Sequence, residues 1–193
     1  MKTNTIGLFL TLLLVGTPAL AEIRPQQLVR DARGQIGVTM SYDPAYRKIA
    51  FPMGDVPLST GVCTDVVIRA LRGQGVDLQA LVNKDMKTAW AAYPKIWGLQ
   101  KPDGNIDHRR VPNLEVFFRR HGQSLSLSDK TTFKAGDIVT WRLPQSNLPH
   151  IGIVSDKRAA DGTPLIIHNI GRGTREENVL FAYPLKGHFR YLK

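Results

Sequence analysis

Through the first half of the chain, apolar residues recur at the three- and four-residue spacing that gathers them on one side of a helix. Leu28, Val29, Ala32 and Ile36 form such a stripe over residues 25–35, with Pro25 suited to a first helical turn and Gly37 as a stop. A second stripe of Val66, Val67, Ala70 and Leu71 predicts a helix over residues 62–72, capped by Ser59 or Thr60 and stopped by Gly73 and Gly75. Asp77 and Asp85 are each placed to cap a short helix before Pro94, and Leu114, Phe117 and Phe118 predict a helix over residues 112–121 closed by Gly122. From Ala135 onward the pattern changes. Residues 138–141, 151–155, 165–169 and 188–191 are short runs rich in β-branched or aromatic side chains, which predict an antiparallel sheet. Asp161-Gly162 is a hairpin-type signal in the loop between the second and third runs. Helices first and strands later make the expected class α+β, and no internal repeat or linker interrupts the pattern.

The start of the chain is different. Lys2, the apolar run from Ile6 to Val15 and the small-residue site Ala19-Leu20-Ala21 read as a secretion signal over residues 1–21, leaving 22–193 as a single domain that begins at Glu22. The apolar run is shorter than the roughly 20 residues a spanning helix needs, so no stable membrane anchor is expected and the address is periplasmic or extracellular. A formal charge of +10 draws anions. Outside the cytoplasm these are carboxylate-bearing cell-wall peptides and anionic lipid head groups, not nucleic acid. The dispersed Lys and Arg residues read equally well as a solubilising surface. A monomer is expected.

Within an exported chain the single cysteine, Cys63, needs an explanation, because an accessible unpaired thiol oxidises or pairs between molecules. It falls in the first turn of a predicted helix, where the positive end of the helix dipole and a neighbouring imidazolium lower a thiol pKa and favour the nucleophilic thiolate. Five histidines compete as its base: His108, His121, His150, His168 and His188. His150 opens the run His150-Ile151-Gly152-Ile153-Val154, where Gly152, on the same face of a strand, leaves room for a packed helix. His168 ends the next run, and a hairpin brings it beside His150 to orient the imidazole. Asn169 points to the other face in a regular strand and takes that role only if a bulge intervenes. Each residue also has a plain structural reading, with Cys63 a small buried apolar side chain and the histidines hydrogen-bonded strand ends.

In order, Gly61-Val62-Cys63-Thr64-Asp65, Lys134-Ala135-Gly136-Asp137-Ile138-Val139-Thr140-Trp141, His150-Ile151-Gly152-Ile153-Val154 and Ile166-Ile167-His168 resemble the NlpC-type, CHAP-related superfamily of papain-like cell-wall cysteine hydrolases. Gly61 to Ala70 together with Asn105 to Leu114 further resembles the bacterial domain-of-unknown-function family numbered 1287. The resemblance implies an α+β fold with helices packed on a central antiparallel sheet and the nucleophile at a helix N-terminus. It implies a Cys-His-polar triad of Cys63, His150 and His168 hydrolysing amide bonds of peptidoglycan stem peptides, without a cofactor. Tyr42 falls where the superfamily often carries an active-site tyrosine, with Tyr46 as competitor. Two features depart from the pattern: Thr64-Asp65 replaces the usual Ser-Gly after the nucleophile, and residues 83–122 are longer than a minimal domain needs.

That long segment holds Asp107-His108-Arg109-Arg110, which either lines a cleft and grips substrate carboxylates through forked Arg contacts or forms an internal ion-pair network. His108 stands as an alternative base. Metal catalysis is not expected, since the histidines lack ligand spacing and a lone cysteine excludes paired-thiolate sites. The expected partner is peptidoglycan or a muropeptide. Two alternatives are a non-catalytic peptidoglycan-binding module and an acyltransferase or thioesterase on the same fold.

Overall fold

The computed structural model describes residues 22–191. The expected signal over residues 1–21 lies outside the described residues. Four α-helices are present, α1 (Pro25–Arg33), α2 (Cys63–Arg72), α3 (Leu78–Thr88) and α4 (Val111–His121). Two residue pairs, β1 (Ser41–Tyr42) and β2 (Thr60–Gly61), run parallel beside the start of α2. The main sheet is built from β3 (Gln123–Ser124), β4 (Ile138–Arg142), β5 (Pro149–Arg158), β6 (Pro164–Asn169), β7 (Thr174–Glu177) and β8 (Leu185–Arg190). Its order is β3-β8-β4-β5-β6-β7, antiparallel throughout. The class is α+β, as the order of helical and strand periodicities predicts. No helix among the described residues is long and apolar enough to cross a membrane.

Alternation along the strands sorts the core into two layers. Ile138, Ile151, Ile153, Ile167 and Phe189 face the helices and pack with Leu28, Val66, Val67, Leu71, Leu114 and Phe118. Val139, Trp141, Val154 and Ile166 face the other way, under Phe133 and Leu180. Both layers are buried, so at ~25 cal/mol per Å² of apolar area each makes a large contribution to stability.

Several local expectations change. α1 ends at Arg33 and not at Gln35, and Ile36 is 41% exposed, outside the buried stripe. The cap position of α2 is Val62, two residues beyond the expected Thr60. Because Val62 has no side-chain acceptor, Asp65 reaches back and accepts its N–H at 2.7 Å. Asp77 caps α3, accepting the Gln79 N–H at 3.0 Å, but Asp85 lies inside that helix. Asp85 instead gathers Tyr93 Oη, Arg120 and His121, which hold its carboxyl well below the usual range against the opposing effect of burial. Gly152 does not make room for a helix. A Cβ there would meet Ile166 Cγ2 at 2.6 Å and His168 Cβ at 3.2 Å, so the glycine clears space for the side chains of β6 on the face away from α2.

Candidate active site

The site lies where β5 and β6 part. Their pairing runs from Ile153↔Ile167 toward the hairpin, leaving residues 150–152 without a β6 partner. The N-terminus of α2 enters this fork from the helical side, and the Ile151 N–H donates to the Cys63 thiol. Cys63 is buried, with 4% of its surface exposed. Burial pushes its thiol up to about 12, and the Asp65 carboxylate adds to this. The N–H groups of Ile151, Thr64 and Cys63 pull the other way and lose. The expected thiolate is therefore not the resting form: loss of solvation outweighs the helix-start donors.

His150 and His168 come from the other face. His150 stacks on Trp141, its register partner on β4, at a ring separation of 5.7 Å. Its Nε2 lies 2.8 Å from His168 Nδ1, and His168 Nε2 lies 3.0 Å from Glu177 Oε2. This line assigns the tautomers. A carboxylate only accepts, so His168 carries its proton on Nε2 and its bare Nδ1 accepts from His150 Nε2–H. The lone pair of His150 is then on Nδ1. Burial, reinforced by His168, lowers the His150 pKa to about 3, so the imidazole is neutral at any ordinary pH. Burial also lowers the His168 pKa, with Glu177 opposing. His168 does lie beside His150 as expected, and the contact runs through His150 Nε2, which leaves Nδ1 free of His168.

Asn169 does not orient His150. It turns toward the helices and donates from Nδ2 to Gly61 O at 3.1 Å and Ser41 O at 3.3 Å, tying the strand that enters α2 to the strand that carries Tyr42. Tyr42 sits beside Cys63. Burial first, then the neighbouring Cys63 and Asp65, hold its phenol protonated well above the ordinary range. Tyr46 is exposed and bonds Asp103 and Asn105 instead.

A cavity of about 230 Å³ opens next to the thiol, lined among others by Tyr42, Cys63, Trp97, Arg110, Pro112 and Pro149. Of the four charged residues expected to bind substrate, Asp107 and His108 lie outside this lining. Asp107 is buried and holds the Asp103 N–H at 2.6 Å and Arg110 Nη1 at 2.8 Å. His108 is buried, its pKa lowered to about 4 by burial and then by Arg109, and the other charges acting on it include Arg72 and Asp55, toward the far end of α2. Arg109 lines the cavity, but its fork is spent on Asp65, with Nε and Nη2 each at 2.9 Å and both side chains 3% exposed. The Arg109 carbonyl also accepts the Thr64 hydroxyl at 3.1 Å. The two departures from the superfamily pattern are thus one feature, since Thr64 and Asp65 are the residues that dock the long segment onto the start of α2.

Glu177 and Trp97 were missed by sequence reasoning. Glu177 becomes visible only through the β6–β7 register, in which His168 faces Arg175 and Glu177 follows on the same face. Among the described residues no group of three or more His, Cys, Asp or Glu side chains is placed to hold a metal ion.

Residues 29–191 match the family described as a domain of unknown function (DUF1287). A relative in Escherichia coli (strain K12), the uncharacterized protein YijF, is 58% identical over 161 residues, covering 83% of this chain and 78% of that one. Among solved structures, NlpC1 from Trichomonas vaginalis aligns over 88% of this chain and 44% of its own, with a TM-score of 0.52 at 16% identity. NlpC2 from the same organism aligns over 87% and 47%, with a TM-score of 0.50 at 16% identity. The chain therefore spans less than half the length of either solved protein. At this identity the likeness is one of fold, and the fold is that of NlpC-type, papain-like proteins.

Proposed function

Since the chain belongs to the DUF1287 family and has an NlpC-type fold, we propose that it is an exported cysteine hydrolase that cleaves amide bonds in peptidoglycan stem peptides. The observation that carries this reading is the hydrogen-bonded line from Glu177 through His168 to His150, whose chain neighbour Ile151 donates its N–H to the thiol at the start of α2. A buried thiol held by the residue that follows a neutral imidazole has a direct chemical use. As sulfur attacks the amide carbonyl carbon, Cys63 gives its proton to His150 Nδ1, so no free thiolate is needed before substrate arrives. The carbonyl electrons move onto oxygen, where the Cys63 N–H and the Tyr42 hydroxyl stand as donors. Collapse breaks the C–N bond, and the amine leaves with the proton from His150. Water then attacks the thioester, giving its proton to His150, and the acid departs as the Cys63 thiol is restored.

A second reading, a wall-binding module without turnover, is favoured by one observation, the thiol held near 12. One experiment separates the two. Purified peptidoglycan is incubated with the mature protein or with Cys63→Ala, and the products are weighed by mass spectrometry. New amines and acids from the unaltered protein alone are expected. Unchanged muropeptides with both would sink the hydrolase and leave the binding module, and the bond released identifies the amide cut.

A further inference from the structure

The cavity beside Cys63 is mostly apolar, and the two arginines at its wall are not equivalent. Arg109 is neutralised by Asp65 and has both sides of its fork occupied. Arg110 spends one nitrogen, Nη1, on Asp107 and lays its guanidinium over the Trp97 indole, 4.1 Å from the ring centroid. Its Nε and Nη2 have no protein partner among the described residues. A guanidinium held in plane by an aromatic face and a carboxylate at one corner is pre-organised, and its unused edge matches the two oxygens of another carboxylate. Only 18% of the Arg110 side chain is exposed, so an anion there is attracted with little screening by water. The cavity, about 230 Å³, lies below the roughly 300–1,000 Å³ of drug-sized pockets and fits a short peptide segment.

We propose that Arg110 is a carboxylate clamp, and that the substrate is a peptide carrying a free carboxylate close to the scissile amide. This rests on the hydrolase reading only for the word scissile. Such a carboxylate is either the α-carboxylate at the C-terminus of the stem peptide or a side carboxylate along it. In the first case the enzyme trims stem ends, and in the second it cuts within them.

The test uses the full mature chain with Cys63→Ala, which binds without turnover. It is titrated calorimetrically with a synthetic stem pentapeptide in three forms: all carboxylates free, the C-terminal carboxylate amidated, or the internal carboxylate amidated. One amidated form is expected to bind about tenfold weaker or worse, as loss of a charge-assisted pair implies, and which one it is names the source. Adding Arg110→Gln is expected to weaken binding of the free form to the same level and to abolish the discrimination. Arg110→Lys, which keeps a charge facing Asp107, falls between and serves if the Gln variant does not fold. Equal binding of all three forms, absence of binding to the folded protein, or discrimination that survives Arg110→Gln overturns the clamp. The unaltered enzyme with the same peptides keeps the two proposals apart. Cleavage without carboxylate preference leaves the hydrolase and removes the clamp, whereas selective binding without cleavage does the reverse.

Discussion

Glu177 decides which nitrogen of His150 is basic, although it touches neither the thiol nor the cavity. With its carboxylate removed, the His168 proton no longer has a fixed acceptor, and a shift to Nδ1 would turn His150 so that its lone pair points at His168. Glu177→Ala is therefore expected to lower kcat about 10- to 100-fold with KM little changed, the usual range for partners that orient a functional imidazole. Glu177→Gln, whose amide oxygen accepts the same proton, should recover most of the loss. Rates across pH and ¹⁵N chemical shifts of the imidazoles check this, and equal activity of all three proteins would refute it. Cys63 was legible because a lone thiol in a sequence that reads as exported has few reasons to exist, and His150 and His168 because each opens or ends an apolar run. Glu177 was not legible: it lies on a strand reading Thr-Arg-Glu-Glu, whose polar residues carry no alternation, and only its pairing with β6 gives it a role.

At the scale of elements, α2 is fixed at its start by a buried ion pair in place of a side-chain cap. Asp65 serves the Val62 N–H and the Arg109 fork together, so Asp65→Asn leaves a guanidinium buried without its counter-charge. A loss of about 3–5 kcal/mol is expected from urea unfolding. Replacing both partners, Asp65→Leu with Arg109→Met, should cost less than Asp65→Asn alone, because no uncompensated charge remains. The reverse ranking would show that Arg109 finds another partner. Helices α1, α2 and α4 could be read from sequence since each buries one stripe. The two-residue strands β1, β2 and β3 could not, for their pairing is set by the elements that carry them. An internal ion pair for Arg109 was one of the two readings of its segment, but the partner was not legible, because Asp65 lies 44 residues away on α2 and only the fold brings the two together.

For the molecule as a whole, buried neutral histidines make stability depend on acidity. Burial lowers the pKa of His150 to about 3, that of His108 to about 4, and that of His168 as well, all from an ordinary 6.5. The unfolded chain takes up these protons as pH falls below about 6.5 and the folded chain does not, so each group costs roughly 1.4 kcal/mol per pH unit until its folded pKa is reached. Glu176, lowered to about 2 chiefly by Arg33 and Ser155 against the effect of burial, adds a loss of the same sign below about 4.5. Urea midpoints are expected to drop steeply from pH 6.5 to pH 4, and His108→Gln should flatten the slope by one proton. A midpoint independent of pH in that range would mean that the histidines take up protons without unfolding. The charge of +10 was plain from the sequence, but it says nothing of this behaviour, which depends on which imidazoles lie beneath the surface.

The fork between β5 and β6 is where residues from the two sides of the sheet meet at the candidate site. The thiol belongs to the helical layer, and the imidazole line to the layer beneath Phe133 and Leu180. Neither layer holds the whole proposed set by itself. On the proposed function, a chain whose sheet has paired but whose helices have not docked would carry the base without the nucleophile, and a helical layer adrift from the sheet the converse. On that reading, reactivity would require the two layers to be packed together, so that activity would double as a report on whether the core is closed.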